Sequence, residues 1–328
     1  MARNRDRMVI EDEVAELMAE TGEDDPVSAV RCKAREVVAL FHQIFGGEPP
    51  FDMKVMASLR DILPSTEPPV HSPDAELHPD ENGRVHLRLN QDRPRTRQRF
   101  SVGHEITHTF FSGYQEKVQC RKPAHRDWSD PADVLEALCD VGASELLMPL
   151  PWFADDSRRL ADTASGISEL ARRYGASPEA TIRRLVDLSR DPMAAVFFSW
   201  KHKPVQKRKG IGSTQQATMS WMDPEEHAKD LLRLRVDYSV CGGGFSLHIP
   251  ADKSVDGESV IRRASTERGC FDAEESLDLG PCRGIFRVSV LPLFTEDGAL
   301  GPKGESTVVA VLRPIGNARP DAKGEALL

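Results

Sequence analysis

No run of about 18 apolar residues occurs among the 328 positions, so a membrane-spanning helix is not expected. The first residues also lack the apolar core of a secretory signal. Cysteine is sparse: six residues, at 32, 120, 139, 241, 270 and 282, form no C-x-x-C pair and no dense framework. That pattern argues against a disulfide scaffold and fits buried thiols in a reducing cytosol. Positive charge is in deficit, with 43 Lys and Arg against 52 Asp and Glu, a net charge of −9. A protein whose main business is coating nucleic acid is therefore excluded, although a small local basic surface is not. These absences together predict a soluble cytoplasmic protein, long enough for two domains with substantial cores.

Against that background, one stretch dictates a chemistry: Arg99-Phe100-Ser101-Val102-Gly103-His104-Glu105-Ile106-Thr107-His108-Thr109-Phe110-Phe111. Val102, Ile106, Phe110 and Phe111 recur at helical spacing, and no proline interrupts between Gln98 and Gln119. On such a helix His104 and His108, four residues apart, project from one face and can share a metal ion. Glu105 then sits beside the open coordination position as a general base. Two histidines on a surface helix would produce the same letters, so a third ligand is needed. Asp130-Pro131-Ala132-Asp133 reads as a helix start, with Asp130 as N-cap and Pro131 in the first turn. Val134, Leu135, Leu138, Val141, Leu146 and Leu147 continue that helix to Pro149. It carries Glu136, read as the third ligand, and Asp140, read as the carboxylate that receives an imidazole N–H and sets its tautomer. Two histidines, one glutamate and a water make an open catalytic site rather than a closed structural one.

Arg97-Gln98-Arg99-Phe100-Ser101-Val102-Gly103-His104-Glu105-Ile106-Thr107-His108, then Leu135-Glu136-Ala137-Leu138-Cys139-Asp140 and Glu145-Leu146-Leu147-Met148-Pro149, resembles the ImmA/IrrE metallopeptidase family. The segment Ala75 to Asn90 resembles the strand that this family places before its active-site helix. By position, the resemblance implies that His104, His108 and Glu136 hold a metal and that Glu105 is the catalytic acid/base. It further implies cleavage of a helix-turn-helix repressor of the XRE type, releasing stress or mobile-element genes. The chain departs from the family at Gly103, where alanine is common, and at Asp140, where asparagine is common. Zinc suits this ligand set, with manganese as the other candidate.

Taken in order, residues 1–26 read as a charged N-terminal arm holding a short amphipathic run, and 27–156 as the metallopeptidase domain. Within the latter, Ser28 to Phe45 and Phe51 to Leu63 are expected as helices, and Glu76 to Asn90 as a hairpin turning at Asn82-Gly83. The strand through Val85, Leu87 and Leu89 is expected to be half-buried and to offer its edge to substrate main chain. Arg93 and Arg95 read as a solvated strand or loop edge; Arg97 and Arg99 are candidates for orienting the site or an acidic stretch of substrate. Tyr114 and His125, in the stretch between the two ligand helices, are candidates for stabilising the tetrahedral intermediate.

Residues 157–200 read as a helix-turn-helix-like segment, with Ser177 as N-cap and Pro178 after it. Arg172, Arg173, Arg183 and Arg184 could then touch phosphates, but in an acidic chain packing on the peptidase core is the preferred reading and direct DNA binding the lesser one. The basic, polar run 201–216 is read as a linker, 217–316 as a β-rich sensory or partner-binding domain, and 317–328 as a disordered tail. Strands are expected at Leu231 to Val240, Phe245 to Ile249, Ser259 to Arg263, Ile285 to Phe294 and Ser306 to Pro314. Longer members of the resembled family carry a GAF-type sensory domain here.

The fold expected is thus α+β: a zincin-like metallopeptidase domain, a helix-turn-helix-like extension and a C-terminal domain containing a sheet. The function expected is a metal-dependent endopeptidase acting on a repressor. The rival, from another class, is a non-catalytic regulator that binds a repressor or DNA and keeps a vestigial metal site.

Overall fold

The computed structural model describes residues 2–71, 74–115, 119–120, 130–202, 232–293 and 307–315, without the side chains of 2–9, 119–120 and 131. Contacts divide the chain into two units, Met1–Ser157 with Leu170–Ala180, and Arg158–Glu169 with Thr181–Leu328. Among the described residues no helix is long and apolar enough to cross a membrane.

The first unit begins with α1 (Ala2–Thr21) and α2 (Pro26–Phe45). Asp25 caps α2 by accepting from the Ser28 amide, and Gly46, at φ +65°, closes it where a side chain would be strained. The stretch expected as a loosely attached helix or arm forms α1, which buries Leu17. The helix expected over Phe51 to Leu63 is shorter: α3 is Met53–Ser58, and β1 (Ile62–Pro64) follows. Asp61, at φ +57°, breaks the helix, and Ile62 buries itself as a strand residue at a spacing that suited either state.

β2 (Ala75–Pro79) and β3 (Val85–Leu89) form the expected hairpin, with Leu77 opposite Leu87 and Gly83 at φ +75° in the turn. Val85, Leu87 and Leu89 are buried, as the alternation predicts. The sheet order is β1-β3-β2-β4, where β4 is Gln119–Cys120. β3 is therefore paired with β2 along its length and with β1 at Val85 to Leu87, so among the described residues its edge is covered there and the outer strands are β1 and β4. α4 (Arg95–His108) lies between β3 and β4 in the chain, and α5 (Pro131–Leu147) and α6 (Trp152–Leu160) follow β4. Pro94 stands at the N-cap of α4, so Arg95, Arg97 and Arg99 lie in its first turns and not on a strand edge. Asp130 caps α5 through the Ala132 amide at 3.0 Å, as its sequence suggested.

The helices α7 (Ala164–Tyr174) and α8 (Pro178–Leu188) flank Gly175, at φ +57°. Ser177 accepts from the Ala180 amide at 3.1 Å. Three of the four arginines considered for DNA are engaged internally. Arg173 pairs with Asp156 at 2.8 Å, Arg183 lies over the Phe197 and Tyr238 rings, and Arg184 is buried beside Asp187.

The second unit is organised by a five-stranded antiparallel sheet of β5 (Met193–Lys201), β6 (Arg233–Gly242), β7 (Phe271–Leu279), β8 (Cys282–Pro292) and β9 (Val308–Pro314), in the order β6-β5-β9-β8-β7. One face carries Val196, Val236, Phe286, Val288 and Ala310, covered by Ile261 and Ala264 of α9 (Val260–Glu267) and by Phe245, Leu247 and Ile249. Several expectations change here. Ser259 to Arg263 is not a strand, because Ser259 caps α9 through the Ile261 amide. Phe245 to Ile249 buries alternate residues without joining the sheet, so its period-2 pattern came from packing alone. β7 escaped notice because only its alternate positions are covered and the exposed ones are Asp272, Glu274, Ser276 and Asp278. A boundary at 201 would separate β5 from its neighbour β6, so β5 belongs with the C-terminal sheet rather than with 157–200. The greater part of the expected linker, 203–216, and the tail 317–328 lie outside the described residues.

Candidate metal centre

The site lies where α4 crosses α5, and small residues decide how closely the two approach. A Cβ on Gly103 would sit 3.3 Å from Ala143 Cα, and one on Gly142 would meet Thr107 Cγ2 and Oγ1 at 2.4 Å. Larger residues at 103 and 142 would hold the helices apart, whereas glycines let short side chains reach across. Thr107 is held in place by its hydroxyl, which donates to the Gly103 carbonyl at 2.9 Å. The run Ser101 to His108 is buried throughout, so the chemistry-bearing residues of α4 face protein rather than water.

Across this contact the expected residues meet. His104 Nε2 and His108 Nε2 are 3.2 Å apart. Glu136 from α5 places Oε2 3.3 Å from His104 Nε2 and Oε1 3.6 Å from His108 Nε2. Asp140, one turn further along, accepts from His104 Nδ1 at 2.9 Å. Three donors bound tetrahedrally to zinc at about 2.0–2.1 Å stand about 3.3–3.4 Å from one another, so the spacing found here fits such an ion. A looser grouping, within 4.8 Å, joins Cys139 to the two histidines in place of Glu136. The cysteine sulfur, however, lies 3.4 Å from His108 Nδ1, the nitrogen that does not face His104. The mutual spacing of both Nε2 atoms and the carboxylate favours the set with Glu136. Glu105 is fully buried on the same helix, and its charge helps to hold a proton on His104.

The two imidazoles are driven in opposite directions. Burial alone would strip His104 of its proton, but the hydrogen bonds with Asp140 and Glu136 outweigh it and raise the pKa to about 9. Burial, and then the neighbouring His104 charge, push His108 down to about 3. Without an ion His104 is thus the charged ring of the pair and His108 the neutral one, with a proton on His104 Nε2 between the Glu136 carboxylate and His108. An ion seated between these nitrogens would take that proton's place.

Other candidates are placed elsewhere. Arg97 forks onto buried Asp74 at 3.1 and 2.9 Å, alongside Arg93 at 2.9 Å. Arg99 donates to the Gly175 carbonyl at 3.2 Å and to the Tyr174 carbonyl at 3.5 Å. Both thus tie α4 to neighbouring backbone or carboxylate, which suits the expected part in orienting the site. The Tyr114 phenol accepts from Gln115 at 3.0 Å and hydrogen-bonds none of the site residues among those described. His125 lies outside the described residues.

Sequence reading missed three contributors. Gly142 carried a signal, since glycine inside a helix costs about 1 kcal/mol relative to alanine and asks for a packing reason. Cys139 could have been noticed from its position between Glu136 and Asp140. Arg60 had no signal. It donates to Thr109 Oγ1 at 3.0 Å and to the Thr109 carbonyl at 2.8 Å, placing a cation at the C-terminal end of α4.

Comparison with known proteins agrees with this construction. Residues 65–186 match the family described as the IrrE N-terminal-like domain, a peptidase family, which makes this part of the chain a metallopeptidase domain. The radiation response metalloprotease IrrE of Deinococcus radiodurans is 27% identical over 288 residues, covering 81% of this chain and 79% of that protein. Its counterpart from Deinococcus deserti is 29% identical over 169 residues, covering 51% of this chain and 57% of that protein. This segment is thus similar to the ImmA/IrrE family, and both relatives are metalloproteases. A solved structure of a Mycobacterium tuberculosis transcriptional regulator shares the fold at TM-score 0.50 and 11% identity, over 93% of this chain and 81% of that one.

Proposed function

We propose that this chain is a metal-dependent endopeptidase whose divalent ion, zinc by preference, is held by His104, His108 and Glu136. The observation that carries the reading is the mutual spacing of 3.2, 3.3 and 3.6 Å among two Nε2 atoms and one carboxylate. When bound, the ion polarises the scissile carbonyl and acidifies a water molecule. Glu105 accepts the water proton and passes it to the departing amine, a transfer favoured by its burial one residue from a ligand. Asp140 holds the His104 ring by its Nδ1–H, leaving Nε2 for the ion.

The substrate, on this reading, is a helix-turn-helix repressor of the XRE type, cut to release stress-response genes. Support comes from the family likeness and from the radiation-response role in the names of both relatives. The second unit serves as a GAF-type sensory domain, a reading that rests on its antiparallel sheet with α9 packed on one face.

The test is to mix the protein, a divalent metal and the repressor encoded beside it, and to read products by mass spectrometry. Glu105→Gln should retain the metal and lose the cut, and His104→Ala should lose both. Binding of the repressor without any cut, under zinc and manganese alike, would replace the peptidase with a non-catalytic regulator.

A further inference from the structure

His104 and His108 hold their outer nitrogens differently. His104 gives its Nδ1–H to the Asp140 carboxylate at 2.9 Å, a strong charge-assisted bond. Among the described residues, His108 Nδ1 has one partner, the sulfur of Cys139 at 3.4 Å. Cys139 is fully buried, so no water competes for that nitrogen from the same side. The three residues Glu136, Cys139 and Asp140 fall at i, i+3 and i+4 on α5, a single helical face. That face supplies one carboxylate between the two rings and one acceptor behind each of them.

The direction of the bond follows from the role of His108. An imidazole that offers the Nε2 lone pair carries its proton on Nδ1. The sulfur then accepts, and the ring is locked in the orientation in which Nε2 faces His104 and Glu136. Were Cys139 itself a ligand, it would need His108 to turn its Nδ1 inward, which would take Nε2 away from the other two donors.

We propose that Cys139 is the positioning residue of His108: its sulfur accepts the Nδ1–H and so fixes the tautomer and ring orientation that present Nε2 to the metal. This rests on the metal site described above. The two ligand histidines thus differ in character, one backed by a hard anion and one by a soft, neutral acceptor. Groups at this remove commonly govern metal affinity by about 10–100-fold.

The experiment uses the full chain with zinc and three variants: Cys139→Ala, Cys139→Ser and His104→Ala. Zinc affinity is measured by chelator competition, and histidine tautomers by long-range proton–nitrogen NMR of the zinc-loaded protein. Cys139→Ala should weaken zinc by about tenfold or more and disturb the His108 Nδ1–H signal. Cys139→Ser, which keeps an acceptor, should restore both to within about threefold of the parent. Circular dichroism of the metal-free variants checks that each is folded, and the serine variant carries the test if the alanine variant is not. Unchanged zinc affinity and tautomer in Cys139→Ala, with His104→Ala losing zinc, would overturn the role of Cys139 while leaving the metal site standing. A sulfur-to-metal charge-transfer band in the cobalt-loaded parent, absent from Cys139→Ser, would overturn it too by making Cys139 a ligand. Failure of the parent itself to bind zinc would remove the metal reading and this inference together.

Discussion

Gly142→Ala isolates what the close crossing of α4 and α5 contributes. The new methyl would stand 2.4 Å from Thr107 Cγ2 and Oγ1 and 2.9 Å from Thr107 Cβ. Rotating the threonine side chain relieves the first two contacts at the expense of its hydrogen bond to the Gly103 carbonyl, but it cannot move Cβ. Carbon atoms pack comfortably at about 3.5–4.0 Å, so the helices must part by about 0.6–1 Å. Overpacking of this kind costs about 1–3 kcal/mol, against a gain of about 1 kcal/mol from replacing glycine in a helix. The clash should at least cancel the gain, and the fold should lose up to about 2 kcal/mol. Function should suffer more, because His104 and His108 sit on one helix and Glu136 on the other, and a shift of about 1 Å can cost about 100-fold in turnover. The assay is chelator competition for zinc together with kcat/KM on the repressor and a thermal melt. Thr107→Ala in the same chain removes two of the three clashing atoms and should recover part of the loss, a coupling visible in a double-mutant cycle. A Gly142→Ala protein with parental zinc affinity and a raised melting temperature would refute the reasoning that the crossing distance sets the site.

Other expectations follow from the same geometry. Because His104 carries a proton up to about pH 9 in the metal-free protein, zinc must displace it. Apparent zinc affinity should keep rising by about tenfold per unit between pH 7 and 9, where an ordinary histidine would already have levelled off. Asp140→Asn removes the group that does most to raise the His104 pKa, so its plateau should move to lower pH; an identical pH profile for the variant would contradict this. Arg97→Ala should lower stability by about 1–3 kcal/mol through the lost fork on Asp74, leaving kcat/KM of the folded protein near parental; a KM effect on substrate would instead return Arg97 to the binding surface. Arg60→Ala should weaken zinc and destabilise α4 by about 1 kcal/mol, read by chelator competition and urea unfolding, while Arg60→Lys should recover the charge but only part of the two-pronged contact with Thr109.

The local order along the chain was legible because local physics produces it. His104 and His108 at i and i+4, the Asp130-Pro131 helix start, the Asn82-Gly83 hairpin and the glycine between α7 and α8 are short-range patterns, and each reappears as read. Patterns shared by two states were not decidable in this way. Ile62 suits a helix or a strand, Phe245 to Ile249 alternates without ever finding a ladder partner, and the acidic strand β7 has only one face to cover. Placing β5 in the C-terminal sheet likewise needed its partners β6 and β9, one of them beyond a long intervening stretch.

The amino-acid order alone determined which residues carry the chemistry: a helix with two histidines bracketing Glu105 and Ile106, and a second helix with Glu136 and Asp140 on one face. Only the tertiary structure decided that these faces meet at 3.2–3.6 Å, because that distance depends on Gly103 and Gly142 lying opposite Ala143 and Thr107. It also decided that Arg97 pairs with Asp74, that Arg99 meets the Gly175 carbonyl and that a buried thiol stands behind His108. Spacing along one helix is fixed by the backbone's own periodicity, whereas the approach of two helices is set by which side chains are small enough to let them touch.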